Sequence, residues 1–181
     1  MKKILFLLLF TPVFAFAQSD TIATIPFKDE PADVFTAGLG FGQDLGGIGA
    51  NLTYYATNRL GFQGGLGYAR AGIGYNAALK YRFLNGETLS KRTVYLIGMY
   101  GYIATIKVDG NASLNKIFIG PSFGLGFDSK AFGSSHTYWS FALLVPFIGN
   151  KIQNYIEQNK IRLSHDFYPV TLSISYKIII R

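Results

Sequence analysis

Residues 170–180 read V-T-L-S-I-S-Y-K-I-I-I. Val170, Leu172, Ile174, Tyr176, Ile178 and Ile180 alternate with Thr171, Ser173, Ser175 and Lys177, and Ile179 is the one exception. Side chains of a strand point alternately to opposite faces, so a period of two with different chemistry on each face marks a β-strand between two environments. One face here is large and apolar. The other is small and hydroxylated, with a single charge. A strand of about 9–11 residues crosses a bilayer when tilted, and this segment has that length.

The same pattern recurs upstream. Val34–Gly42 sets Phe35, Ala37, Leu39 and Phe41 against Thr36, Gly38, Gly40 and Gly42. Gly47–Tyr55, Leu60–Ala69 and Ile73–Phe83 repeat it, the last with Ile73, Tyr75, Ala77, Leu79, Tyr81 and Phe83 opposite Gly74, Asn76, Ala78, Lys80 and Arg82. Thr93–Ile103 is apolar on both faces, so either Tyr95, Ile97 and Met99 or Val94, Leu96 and Tyr100 point inward. Lys116–Phe127 contains Pro121, which a strand tolerates at an edge or bulge. Thr137–Phe147 faces Trp139, Phe141, Leu143, Val145 and Phe147 outward. Turn residues separate these runs: Gln43–Gly46, Ala56–Arg59, Arg70–Gly72, Asn85-Gly86 and Asp109-Gly110-Asn111. With Val170–Ile180 the count is eight.

The N-terminus has Lys2 and Lys3, an apolar run from Ile4 to Phe16, and Ala15-Phe16-Ala17 as a small-x-small cleavage site. This pattern predicts a cleaved secretory signal peptide over 1–17, too short for a membrane helix. Residues 18–33 are polar with Pro26 and Pro31 and read as a periplasmic lead-in, leaving 34–181 as the barrel. The chain has no Cys, so disulfides and Cys metal sites are excluded. Hydrophobic residues are 49% of the sequence, and 21 Gly, 16 Phe and 12 Tyr accompany them. Past the leader no apolar run has helix-spanning length, so the apolar content belongs to strands. The net charge of +7 is scattered rather than patched, and a secreted chain is not expected to meet nucleic acid.

The composition of the small face decides which solvent lies where. A water-exposed outer face would carry Lys and Glu. Here it carries Gly, Ser, Thr, Ala and Asn, which suits the crowded lumen of a narrow barrel. The bulky face then meets lipid, and its aromatics gather near both strand ends as two girdles. The expected fold is therefore all-β: an eight-stranded antiparallel up-and-down transmembrane β-barrel, closed so that every backbone group is paired.

On its leader, its strand count and its terminal strand, the chain resembles the small eight-stranded outer-membrane barrels of the OmpA transmembrane-domain and OmpX type. The resemblance covers Val34 to the C-terminus. Members of that group usually end on an aromatic residue read by the assembly machinery. This chain ends Ile178-Ile179-Ile180-Arg181, with its aromatic earlier at Tyr176. The resemblance implies an outer-membrane location, and as partners outer-membrane lipids and the outer-membrane assembly machinery.

The chain offers little chemistry. Ser164-His165-Asp166 are neighbours, and extended chain points His165 away from the other two, so they cannot form a triad. His136 lies in a turn. Gly38-x-Gly40-x-Gly42 alternates as a strand does and is no phosphate loop. Metal ligands are not clustered, and no cofactor is implied. Three features remain. Lys80, Arg82 and Lys177 point to the lumen near the periplasmic rim. Since no strand supplies an inward carboxylate, they are expected in a wet, rim-level part of it. An apolar patch inside strand five could hold a hydrophobic molecule or simply fill space. Between the last two strands, Ile161, Leu163 and His165 alternate with polar residues. They suggest an extended hairpin with an edge for a surface protein partner, although Ile152, Tyr155 and Ile156 also fit a short helix. The expected role is structural or surface-interaction. A carrier or narrow conduit for small hydrophobic molecules and a lipid-modifying enzyme are the alternatives.

Overall fold

The computed structural model describes residues 31–83, 92–108, 110–129, 136–161 and 169–180. The leader and residues 18–30 lie outside the described residues, as do Leu163 and His165. Eight strands follow in chain order: β1 (Pro31–Gly42), β2 (Gly47–Thr57), β3 (Leu60–Tyr68), β4 (Ile73–Phe83), β5 (Thr93–Ile106), β6 (Lys116–Ser129), β7 (Thr137–Pro146) and β8 (Thr171–Ile180). Each pairs antiparallel with its neighbour, and β8 pairs with β1 from Phe35↔Ile180 to Phe41↔Ile174, closing an eight-stranded barrel. β1 starts and β8 ends at the same end, called the near end below. The far end holds the β1–β2 turn and the long connections after β5 and β7.

Alternation does what the sequence pattern demands. Leu39, Ile48, Leu66, Tyr75, Leu125 and Leu143 stand outside and are more than half exposed, while Thr36, Thr53, Lys80, Ser122 and Lys177 are fully buried inside. Between the strand tips no outward position carries a charge. Girdle aromatics touch one another on this outer face: Phe35 and Tyr54 at 4.7 Å, Trp139 and Tyr176 at 5.1 Å, and, toward the far end, Phe123 and Phe147 at 5.8 Å. A face this apolar and continuous is a lipid-facing face; on a water-soluble monomer exposed apolar patches stay at a few hundred Å².

The structure settles four points left open or misjudged by periodicity. First, β5 turns Tyr95, Ile97 and Met99 inward and Val94, Leu96 and Tyr100 outward. Second, a bulge at Ile103, between the pairs Tyr102↔Ile119 and Ala104↔Phe118, carries β5 on to Ile106 rather than ending it at Ile103. A bulge sets two residues against one, so both Ile103 and Ala104 turn inward. β5 and the start of β6 thereby overhang the far end. Third, Pro121 sits inside β6, and its carbonyl accepts from the Phe147 N–H at 3.0 Å, one residue past the last β6–β7 pair, Ser122↔Pro146. A strand residue's N–H and C=O point to the same side, so the missing N–H faces the place where the β7 ladder has already ended. Fourth, β1 begins at Pro31, with a register irregularity before Val34, so the strand takes in the end of the expected lead-in.

In the connection after β7 the short-helix alternative at Ile152, Tyr155 and Ile156 is the one that forms, and of the three hairpin residues only Ile161 lies among the described residues. Helix α1 (Asn150–Gln158) occupies the first half of the connection. Ile152, Tyr155 and Ile156 lie at i, i+3 and i+4 and form one apolar stripe. The overhang gives that stripe somewhere to go: Ile152 is buried with Ile103, Ala104, Ile106 and Phe118, and Ile161 packs against the same cluster. The Tyr155 hydroxyl donates to the Leu114 carbonyl at 3.1 Å and ties the helix to the β5–β6 connection.

Leu125 lies mid-belt between Leu96 and Leu143. On a water-exposed surface Leu125→Arg would change stability by no more than about 0.5 kcal/mol. In lipid it is expected to cost about 2–4 kcal/mol. Urea titration of folding into phospholipid vesicles, read by the heat-dependent gel shift of folded barrels, measures the difference.

Candidate functional site

An eight-stranded barrel leaves an interior that side chains can just fill, and buried charged and polar side chains meet there. Its near half carries charge. Arg82 on β4 and Asp128 on β6 form an ion pair at 3.1 Å, both fully buried, and the Arg82 guanidinium lies 4.9 Å from the Tyr55 ring. Lys80 lies 4.3 Å over the Tyr95 ring, with no hydrogen-bond partner for its ammonium among the described residues. Lys177 on β8 donates to Thr53 Oγ1 and Gln63 Oε1, each at 3.0 Å. Tyr95 in turn donates to the Phe141 carbonyl at 3.2 Å and lies 3.0 Å from Ser140 Oγ.

The far half is closed by backbone. The β1–β2 turn does not stand outward. Gln43–Leu45 form a single 3-10 turn that folds into the barrel, and all three residues are buried. Gln43 Nε2 donates to Ser122 Oγ at 2.5 Å, its Oε1 accepts from Thr171 Oγ1 at 2.6 Å, and its carbonyl accepts from Asn76 Nδ2 at 2.9 Å. Asp44 Oδ2 accepts from Gln63 Nε2 at 3.1 Å and from Asn51 Nδ2 at 3.4 Å, and the Asp44 N–H donates to Ser173 Oγ at 3.4 Å. These partners come from β2, β3, β4, β6 and β8, so the plug is sewn to most of the barrel wall. Gln63 also links the two halves, because it accepts from Lys177 and donates to Asp44.

The plug explains the inward glycines of β2, β3 and β4. A Cβ at Gly65 would run into the Asp44 carbonyl, one at Gly67 into the Leu45 carbonyl, and one at Gly74 into the Gly46 carbonyl. The turn closes through Gly46 at φ 71°, in the left-handed region that favours glycine.

Lys80, Arg82 and Lys177 all point into the lumen, but not into a wet rim with no carboxylate. They are fully buried, and two carboxylates join them. The sequence pattern ends this strand at Phe127, one residue short of Asp128. β6 runs to Ser129, and the even positions of β6 face inward, so Asp128 does too. Asp44 arrives on the inverted turn, where alternation has nothing to say. The sequence signal for it was present: inward glycines at Gly49, Gly65, Gly67 and Gly74 cluster on adjacent strands next to that turn. Removing one member of a buried ion pair costs about 3–5 kcal/mol, so the Arg82–Asp128 pair constrains the near end whatever its net worth.

The other sequence candidates do not converge on the lumen. Ile161 packs beneath α1 at the far end, and Leu163 and His165 lie outside the described residues. His136 is exposed at the near end, and its carbonyl accepts from the Ile179 N–H at 2.8 Å. Among the described residues no group of three metal-ligating side chains exists. Tyr95, Ile97 and Met99 pack against Ala78, Ala142 and Leu144, so the apolar part of the lumen is a filled core.

Comparison with solved structures finds a likeness to the N-terminal β-barrel domain of Pseudomonas aeruginosa OprF, with a TM-score of 0.45 and 13% identity over 81% of this chain and 98% of that domain. No protein-family model matches the sequence, and no curated protein matches it. The structure itself shows eight antiparallel strands closed into one barrel.

Gly64 and Gly65 are neighbours on opposite faces of β3, and a Cβ at Gly64 would meet nothing within 4 Å. Gly65→Val is expected to lose about 1–3 kcal/mol by overpacking against the plug. Gly64→Val should leave stability unchanged or raise it. The same vesicle-folding titration separates the two.

Proposed function

We propose that this chain is an exported outer-membrane barrel with a structural or surface-interaction role, not a conduit. The observation that carries this reading is the stacked closure of the lumen. Arg82, Asp128 and Tyr55 fill the near end. Lys177, Gln63, Tyr95 and Ile97 fill the middle, and Gln43–Leu45 close the far end. The apolar outer belt supports a bilayer location, and the leader over residues 1–17 supports export. Among the described residues structural relief concentrates at the far end, where the overhang and α1 stand beyond the belt. That end is read as the cell exterior, since the near end carries the N-terminal lead-in. The barrel is read as non-enzymatic. Its partners are membrane lipids, the assembly machinery and, through the far end, a surface protein.

Purified protein in planar bilayers is expected to show no stable open channel of porin size. Porin-like conductance would overturn the sealed lumen. Orientation is tested by labelling. Gln153→Cys on the exposed face of α1 should react with a membrane-impermeant maleimide on intact cells, while Asn58→Cys in the β2–β3 turn should react only after lysis. The reverse order would place the near end outside.

A further inference from the structure

A cleft of about 420 Å³ lies at the far end between α1 and the start of β6. This volume falls within the range of small-ligand sites. Lys116 and Phe118 stand on the inward face of β6 and Ile117 and Ile119 on its outward face, so the cleft opens across the free edge of that strand, with Lys151, Asn154, Tyr155 and Gln158 on the α1 side. Among the described residues no carboxylate lines it. The Lys116 ammonium lies 4.2 Å from the Tyr155 ring and 5.6 Å from the Phe118 ring, and among the described residues aromatic faces rather than a counter-ion hold it. The hydrogen-bonding capacity of a lysine so held stays available to a ligand. Lys151 approaches from the exposed side of α1, and Asn154 and Gln158 add neutral donors one and two turns further along.

The height of the cleft identifies the ligand. Ile119 pairs with Tyr102, points outward and is 38% exposed, so it belongs to the top of the lipid-facing belt. Three residues earlier on the same strand, Lys116 is the first charged residue above that belt on β6. The cleft therefore runs from hydrocarbon level at Ile119 to a pair of cations at headgroup level. A soluble anion would use the cations and leave the outward Ile117 and Ile119 idle. An acidic peptide would have no use for an outward face continuous with lipid. A membrane lipid uses both: its phosphate meets Lys116 and Lys151, and its acyl chain runs down over Ile117 and Ile119. We infer that this cleft binds the phosphate-bearing headgroup of a membrane lipid, in a site built by α1 and the β5–β6 overhang. The inference rests on the barrel being embedded in lipid, as proposed above.

The test uses full-length folded protein in dodecyl maltoside, with lipid retention read by native mass spectrometry. The probes are dioleoyl phosphatidic acid, dioleoylglycerol and glycerol 3-phosphate, which supply phosphate with acyl chains, acyl chains alone, and phosphate alone. Phosphatidic acid is expected to remain bound at one per barrel, dioleoylglycerol to be lost, and millimolar glycerol 3-phosphate to fail to displace the lipid. Lys116→Ala with Lys151→Ala should weaken retention by about tenfold or more, since two charge-assisted hydrogen bonds are removed. Both lysines are exposed, and the heat-dependent gel shift confirms that the variant folds. Equal retention by the variant, or equal retention of dioleoylglycerol, would overturn the site. Full displacement by glycerol 3-phosphate would make it a soluble-phosphate site, and displacement by hexaglutamate a peptide site; either overturns the lipid assignment. Failure of the wild type to insert into vesicles at all would instead count against the membrane reading on which the site rests.

Discussion

Everything in this molecule depends on the seam between β8 and β1. In hydrocarbon an unpaired N–H or C=O costs several kcal/mol, so an open sheet cannot span a membrane, and only a closed one leaves no such edge. The pairing from Phe35↔Ile180 to Phe41↔Ile174 supplies that closure. It also explains why the terminal strand is so regular. A one-residue slip at the seam would send Ser173, Ser175 and Lys177 into lipid and Leu172, Tyr176 and Ile178 into the lumen. The alternation of that strand is thus a specification of register as much as of conformation.

Closure with only eight strands creates the second constraint, which is space. The lumen is narrow, so each large inward residue needs a small one across from it. A Cβ at Gly126 would collide with the Tyr95 ring, one at Gly61 would lie 2.7 Å from the Tyr55 ring, and one at Gly38 would press on Asn51 and Lys177. The inward glycines are complements to specific neighbours rather than sources of flexibility. The same economy admits the Gln43–Leu45 plug, because four glycines on β2 to β4 clear a volume that backbone then occupies. Buried polar groups must find partners within this volume. The chain from Lys177 through Gln63 to Asp44, and the Arg82–Asp128 pair, meet part of that requirement with protein groups, while Lys80 rests on the Tyr95 ring.

The two ends of the barrel differ in kind. Among the described residues the near end holds the short β2–β3 connection and a buried ion pair. The far end is elaborated by the Ile103 bulge, which lengthens β5, turns Ile103 and Ala104 inward and so provides the surface on which α1 docks. One extra residue in one strand thereby sets the position of a helix and of the cleft beside it.

Strand number and, for every strand but Thr93–Ile103, the assignment of faces were legible in the sequence, because a period of two is a local property that each of those strands displays alone. Val170–Ile180 and Ile73–Phe83 needed no tertiary information. Lys80, Arg82 and Lys177 could likewise be placed on the inward face by counting. What stood opposite them could not, because partners across a lumen are far apart in sequence: Arg82 and Asp128 are 46 residues apart, and Gln43 and Ser122 are 79. The register of Thr93–Ile103 was ambiguous because both of its faces are apolar, and only packing against Ala78 and Leu144 selects one. The inverted turn at Gln43–Leu45 and the helix at Asn150–Gln158 were decided by tertiary structure for one reason. Each is stable only in the space or against the surface that other strands provide.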